Sequence, residues 1–278
     1  MTDLPGIAPH IQLSKEGIWV PQSEENAELS YPAEGHDFYF DLEDKSFWFA
    51  HRNSCIEALI RNFGPPGPLF DVGGGNGFVS QSLQKAGFEV VLIEPGVVGA
   101  INAKRRGVKT VVCSTLQKAG FKDHSLPSVG LFDVLEHVQN DKDFLKDIHN
   151  LLAPDGKLYL TVPAHNSLWS HEDQIAGHYR RYSLRTLDNL LQQAGFKIEY
   201  GTYFFSPLLL PIFLLRSLPS LWGKRPPSPV ASKKDHNSDS VGAGILNQAL
   251  SWELGKIQKQ KKLLMGASCL VVAQPVSP

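Results

Sequence analysis

Two groups of residues in this chain could do chemistry. The first is Asp71-Val72-Gly73-Gly74-Gly75-Asn76-Gly77, where an apolar run ends in an acid and breaks into glycines. Glycines in such a turn accept positive φ and leave no Cβ between the backbone and a ligand. A helix that starts there turns its free N–H groups toward a polar or anionic group. The second group lies in 163–182, which holds His165, Trp169, His171, His178, Arg180, Arg181 and Tyr182. Histidine titrates near neutral pH, so one of the three could take a proton from an attacking hydroxyl. Arg180 and Arg181 could hold a phosphate or carboxylate of a substrate, or close a polar lid by pairing with Glu172 and Asp173. The three histidines lack the compact spacing of a ligand set, so no metal is expected.

The elements that must position these residues are legible around them. Leu69–Val72 reads as a buried strand, and Val79, Leu83 and Ala86 mark a helix closed by Gly87. A second apolar run, 89–94, ends in Glu94-Pro95. That acid lies where a nucleotide-binding sheet places the carboxylate that accepts from ribose hydroxyls. The glycines at 73, 75 and 77 follow G-x-G-x-G. The dinucleotide fingerprint G-x-G-x-x-G would need glycine where Phe78 stands, which argues against an NAD-dependent oxidoreductase.

Asp71-x-Gly73-x-Gly75-x-Gly77 resembles the first motif of the class I S-adenosylmethionine (AdoMet) methyltransferases, and Leu135-Glu136-His137-Val138 is similar to a second motif of that family. The resemblance implies AdoMet as cofactor, with Asp71 and the glycine backbone holding its methionine half. It places Phe132, Asp133 and the 135–138 segment beside the cofactor, with His137 as the second candidate, after His178, for proton transfer. Alternatively, Glu136 and His137 form a polar pair that fixes their loop. Aromatics followed by Arg52 also look like the family's lead segment, so Arg52 could pair with the cofactor carboxylate or lie on the surface of an amphipathic helix. Ser114 and Thr115 stand where many members carry an acid near adenine; a hydroxyl there could still hydrogen-bond the adenine amino group. Segment 163–182 is similar to one in many bacterial methyltransferases of this class, which implies substrate-side residues without naming a substrate.

Composition narrows the class further. Lys plus Arg and Asp plus Glu stand at 27 against 28 over 278 residues, so no basic balance argues for nucleic acid. Three widely spaced cysteines suggest neither a disulfide framework nor a zinc cluster, and fit a reducing, cytoplasmic setting. Met1–His10 has no basic start and no apolar core, so no signal peptide is expected. No apolar run reaches the roughly 20 residues a helix needs to span a bilayer.

The resemblance, with the strand and helix pattern, predicts a three-layer α/β/α Rossmann-like methyltransferase fold. Its seven-stranded sheet should be mostly parallel, with the last strand antiparallel between the fifth and sixth. Residues 1–37 are expected as an irregular lead and 38–274 as one domain. Three insertions belong to that domain: the active-site loop 163–182, an apolar cap at 204–222 and a mobile linker at 223–241. The apolar, proline-interrupted run 204–218 either packs over the site or lies in a membrane interface to reach a lipid or isoprenoid acceptor. The acceptor is expected to be a small molecule or lipid-linked. Methyl transfer to oxygen, nitrogen or carbon stays open, as does the oligomeric state, and a non-catalytic AdoMet-binding module is the alternative.

Overall fold

The protein is described by a computed structural model covering residues 2–22, 43, 46–221 and 241–276. Residues 38–42, at the start of the expected domain, and 223–240 of the expected linker lie outside these described residues. The strands are β1 Ile11–Leu13, β2 Trp19–Pro21, β3 Leu69–Val72, β4 Val90–Ile93, β5 Thr110–Val112, β6 Leu126–Phe132, β7 Leu152–Pro163, β8 Phe196–Phe204 and β9 Ser268–Pro275. They form one sheet in the order β1-β2-β5-β4-β3-β6-β7-β9-β8.

Every residue of β3 and β4 is buried, as expected where helices cover both faces of a parallel sheet. β3 pairs in parallel with β4 on one side and β6 on the other. The strand order therefore reverses at β3, and a crevice opens beyond the carboxyl ends of β3 and β6. β9 runs antiparallel between β7 and β8, as expected. The Pro154-Asp155-Gly156 turn survives as an irregularity inside β7, where pairing jumps from Leu126↔Leu152 to Ser128↔Lys157.

The sheet has nine strands among the described residues, two more than expected. The lead is not irregular where it is described: β1 and β2 form a hairpin, and Trp19 of β2 pairs in parallel with Val112 of β5. Gly17, at φ +72, makes the turn. Ile18 and Val20 bury against Val111 and Cys113. Strands of three residues are too short to show a period-2 pattern, which is why they were not legible in sequence.

Three elements roof the crevice. Helix Phe47–Phe63 carries His51, Cys55, Ile56, Leu59 and Ile60 on its buried face. Helix Val241–Gln258 packs against it. The apolar stretch after β8 is a nearly unbroken helical rod: a 3-10 turn Ser206–Leu208, an α turn Leu209–Ile212, a wider π turn Phe213–Ser217 and an α turn Leu218–Leu221. One buried carboxylate joins all three. Glu253 accepts the Phe205 and Ser206 N–H groups, each at 2.7 Å, and lies 2.8 Å from His51 Nε2. Trp48 stacks on Phe205 with centroids 3.7 Å apart.

Removing that carboxylate orphans two backbone N–H groups, each worth about 1–3 kcal/mol when left unpaired. Glu253→Ala should therefore lower unfolding free energy by about 3 kcal/mol in urea titrations. A loss below about 1 kcal/mol would show that the roof is held by apolar packing instead.

Candidate active site

The glycine turn is built by space as much as by dihedral angle. Gly73, Gly75 and Gly77 have φ of +72, +53 and +78. A Cβ on Gly73 would meet Val134 at 2.9 Å, and one on Gly77 would meet Ala103 and Val108 at 2.8 Å. A Cβ on Gly75 would meet nothing within 4 Å. The outer two glycines let the turn pack, and Gly75 faces open space in the crevice.

Two carboxylates fix this turn from either side. Asp71 is 1% exposed and accepts the Ser80 hydroxyl at 2.6 Å. Burial pushes its carboxyl up to about 6, although the Ser80 bond and the Arg52 charge pull the other way. Glu94 accepts the Gly75 N–H at 2.9 Å and the Gly96 N–H at 2.7 Å, so it clasps the turns after β3 and β4 together. Burial raises its carboxyl too, against those two bonds. A cleft of about 150 Å³ lies over the turn, lined by Asp71, Gly75, Phe78 and Phe132, with Phe49, Arg52 and Asp133 on its far wall. The positive-φ cradle, the open side of Gly75 and an acid at the end of each strand fit a sulfonium nucleoside.

That far wall is shared. Phe49, Arg52 and Asp133 also line a second cavity of about 280 Å³ under the lid and the apolar rod. Arg52 donates to Asp133 at 2.6 Å, and Thr161 donates to the other oxygen at 2.9 Å. Asp133 sits at φ +58, a conformation that a non-glycine residue keeps only when its surroundings hold it. Beyond the wall stand Glu136, His137 and His178. Glu136 is 1% exposed, and burial, reinforced by the Asp133 charge, pushes its carboxyl well up. The rings of His137 and His178 meet edge to face at 4.7 Å. Burial, then the neighbouring His178, lowers His137. His178 Nδ1 lies 2.9 Å from Asp173 Oδ1. Asp173 also accepts Arg181 Nε at 2.8 Å, Arg181 Nη2 at 3.0 Å and the Ser170 N–H at 2.8 Å. Burial opposes its charge, but these donors outweigh it and hold the carboxyl at about 2.

Residues 48–200 match the methyltransferase-domain family. The chain is 31% identical to the ubiquinone biosynthesis O-methyltransferase of Colwellia psychrerythraea over 100 residues, 34% of this chain and 41% of that protein. The match thus spans less than half of that relative. The chain belongs to the class I AdoMet-dependent methyltransferases. Two solved structures share the fold at low identity. A complex of the Trm112 methyltransferase activator and a methyltransferase from Haloferax volcanii gives a TM-score of 0.54 at 16% identity, covering 87% of this chain and 96% of that one. Phosphoethanolamine N-methyltransferase 2 of Haemonchus contortus, bound to phosphomonomethylethanolamine and S-adenosylhomocysteine, gives 0.53 at 16%, covering 88% and 59%.

The structure gathers only some of the residues singled out in sequence. Asp71, Gly73, Gly75, Phe132, Asp133 and Arg52 line the first cleft. Glu94 is tied to the same turn, with Pro95 exposed beside it. Arg52 is engaged by Asp133 rather than lying on the surface. Thr115 instead caps the short helix Leu116–Ala119 through the Lys118 N–H, and the Ser114 hydroxyl donates to the Thr115 carbonyl. Both hydroxyls serve their own backbone, and neither residue is among those lining the cleft.

The lid is also corrected. His137, His178 and Arg181 reach the second cavity; His165, Trp169, His171, Arg180 and Tyr182 do not line it. His165 stacks on Tyr203 at 4.8 Å. The His171 N–H donates to the Ser220 hydroxyl at 3.3 Å. Trp169 ends the 3-10 turn Asn166–Leu168. Arg180 pairs with Asp141 at 2.6 Å, and the buried Tyr182 hydroxyl donates to the same carboxylate at 3.0 Å. Through Asp141 these two residues anchor the lid's base, and neither lines the second cavity. The expected lid pairing holds for Arg181 with Asp173, whereas Glu172 pairs with Arg216 of the rod at 2.7 Å. Sequence reading missed Glu136 as a cavity acid, Asp173 as the partner of His178 and Trp48 as a wall, whereas Ile212 and Arg216 lie in the 204–218 run expected to pack over the site. An acid five residues before His178 in one loop was the only local signal for any of them.

Asp71 keeps its proton up to about pH 6 in the folded chain, against about 4 in an unfolded one. Its contribution to stability is therefore full below about pH 4 and is lost as pH rises through about 6. Over that window wild type should lose up to about 3 kcal/mol relative to Asp71→Asn, measured by urea unfolding at pH 4 and pH 7. Parallel pH profiles would mean that Asp71 ionises normally.

Proposed function

We propose that this chain transfers the AdoMet methyl group to a hydroxyl of an acceptor held in the second cavity. The observation that carries this reading is the shared wall: the cleft over the glycine turn and a cavity with a polar cluster meet across Phe49, Arg52 and Asp133. The cofactor supplies an electrophilic methyl, and the protein's task is alignment. Asp71 and the 73–77 turn hold the methionine half, Glu94 accepts from ribose hydroxyls, and Arg52 with Asp133 orients the end nearest the acceptor. The acceptor hydroxyl meets Glu136, His137 and His178, where it loses its proton. His178, fixed through Nδ1 by Asp173, is the residue on which that loss depends. The similarity to an O-methyltransferase supports oxygen as the nucleophile. An inert AdoMet-binding module would need no histidine–carboxylate pair aimed at the cavity.

The acceptor is proposed to carry an apolar portion that reaches the cavity along the rod. Ile212 and Arg216 of the rod line the cavity. Leu210, Leu214 and Leu215 are 64%, 47% and 71% exposed. Leu209 packs against the core, so the outward face is carried by the other three leucines. Among the described residues no helix is long and apolar enough to cross a membrane. A lipid interface would therefore be met by lying on it, through this face.

Glu94→Ala should weaken AdoMet binding at least tenfold, about 1.4 kcal/mol, by calorimetry. His178→Asn should keep that affinity and lose about a hundredfold to ten-thousandfold in turnover with acceptor found by labelled-AdoMet transfer to a cell extract. If AdoMet affinity collapses with turnover, His178 only holds the lid. In a separate test, wild type should float with liposomes and Leu215→Glu should sink. Wild type that stays below the vesicles assigns the rod to packing alone.

A further inference from the structure

Two clusters among the described residues bring three metal-ligating side chains within 4.8 Å of one another: His51 with Cys55 and Glu253, and Glu136 with His137 and His178. They differ in what their carboxylates do. Both oxygens of Glu253 are already taken, by two backbone N–H groups and by His51. That cluster is a closed strut. Glu136 is as buried, at 1% exposure, yet its Oε2 has no hydrogen-bond partner. The two other acids near it are neutralised: Asp133 pairs with Arg52 and Asp173 with Arg181. Glu136 takes part in no ion pair among the described residues, and a buried carboxylate without a partner is costly.

Asp173 holds His178 through Nδ1, as the second nitrogen of a metal-ligating imidazole is commonly held. All three side chains border the 280 Å³ cavity, so an ion among them would have open positions on that side. Two histidines, one glutamate and an open position form a donor set that suits zinc in catalytic sites.

We propose that Glu136, His137 and His178 bind one divalent cation of the zinc class, with its free position facing the acceptor cavity. This rests on the reading that a hydroxyl acceptor occupies that cavity, and it says how the cluster acts. Coordination of the hydroxyl oxygen lowers its proton affinity, and the proton leaves to solvent. His178 is then a ligand, and Asp173 positions it.

The test uses the full chain, stripped with chelator and titrated with zinc chloride by calorimetry. One equivalent should bind. Glu136→Gln, which keeps the side chain's shape, and His178→Asn should each weaken binding at least tenfold, whereas His171→Ala in the same lid should keep it. Cobalt(II) should give the visible absorption of a low-coordinate site in wild type and lose it in Glu136→Gln. AdoMet affinity, measured on the same samples, should be retained in both variants, which shows that they are folded. Absence of one-equivalent binding, or equal affinity in wild type, Glu136→Gln and His178→Asn, overturns the proposal. Wild type that binds AdoMet but no zinc sinks the cation site alone. A chain that binds zinc but not AdoMet sinks the cofactor reading alone.

Discussion

The ion pair between Arg52 and Asp133 organises everything at the carboxyl edge of the sheet. Arg52 comes from the roof helix, and Asp133 follows the last residue of β6. Taking both charges out of water is costly unless each keeps its partner. The pair therefore fixes the roof helix relative to the sheet, and Thr161 from β7 completes the acid's second oxygen. Because the pair stands between two cavities, it also sets which side a cofactor and an acceptor occupy. Asp133 holds a left-handed backbone conformation, and the roof helix and β7, which both reach its carboxylate, explain how that conformation is kept.

A second level of organisation ties the lid to the rod. Asp173 gathers His178, Arg181 and the Ser170 N–H. Glu172, its neighbour, reaches outward to Arg216. Ser217 donates to the Leu168 carbonyl, and Ser220 accepts from His171. The rod that carries the exposed leucines is thus joined, through one ion pair and two hydrogen bonds made by Arg216, Ser217 and Ser220, to the loop that holds His178.

What the sequence determined by itself is the part of the structure governed by local pattern. Buried parallel strands read as apolar runs, so β3 and β4 were visible with the acids at their ends. The glycine turn was visible because its backbone demands glycine. Tertiary structure alone decided which side chains meet. His137 and His178 lie 41 residues apart and touch because the loop after β6 and the lid after β7 leave neighbouring strands at the same edge. Arg180 and Arg181 are adjacent in sequence yet point to different acids, Asp141 and Asp173, since alternating residues of an extended segment face opposite ways. The partner of a long charged side chain is chosen by whichever buried opposite charge lies within reach. That choice depends on packing between distant elements, which no local pattern encodes.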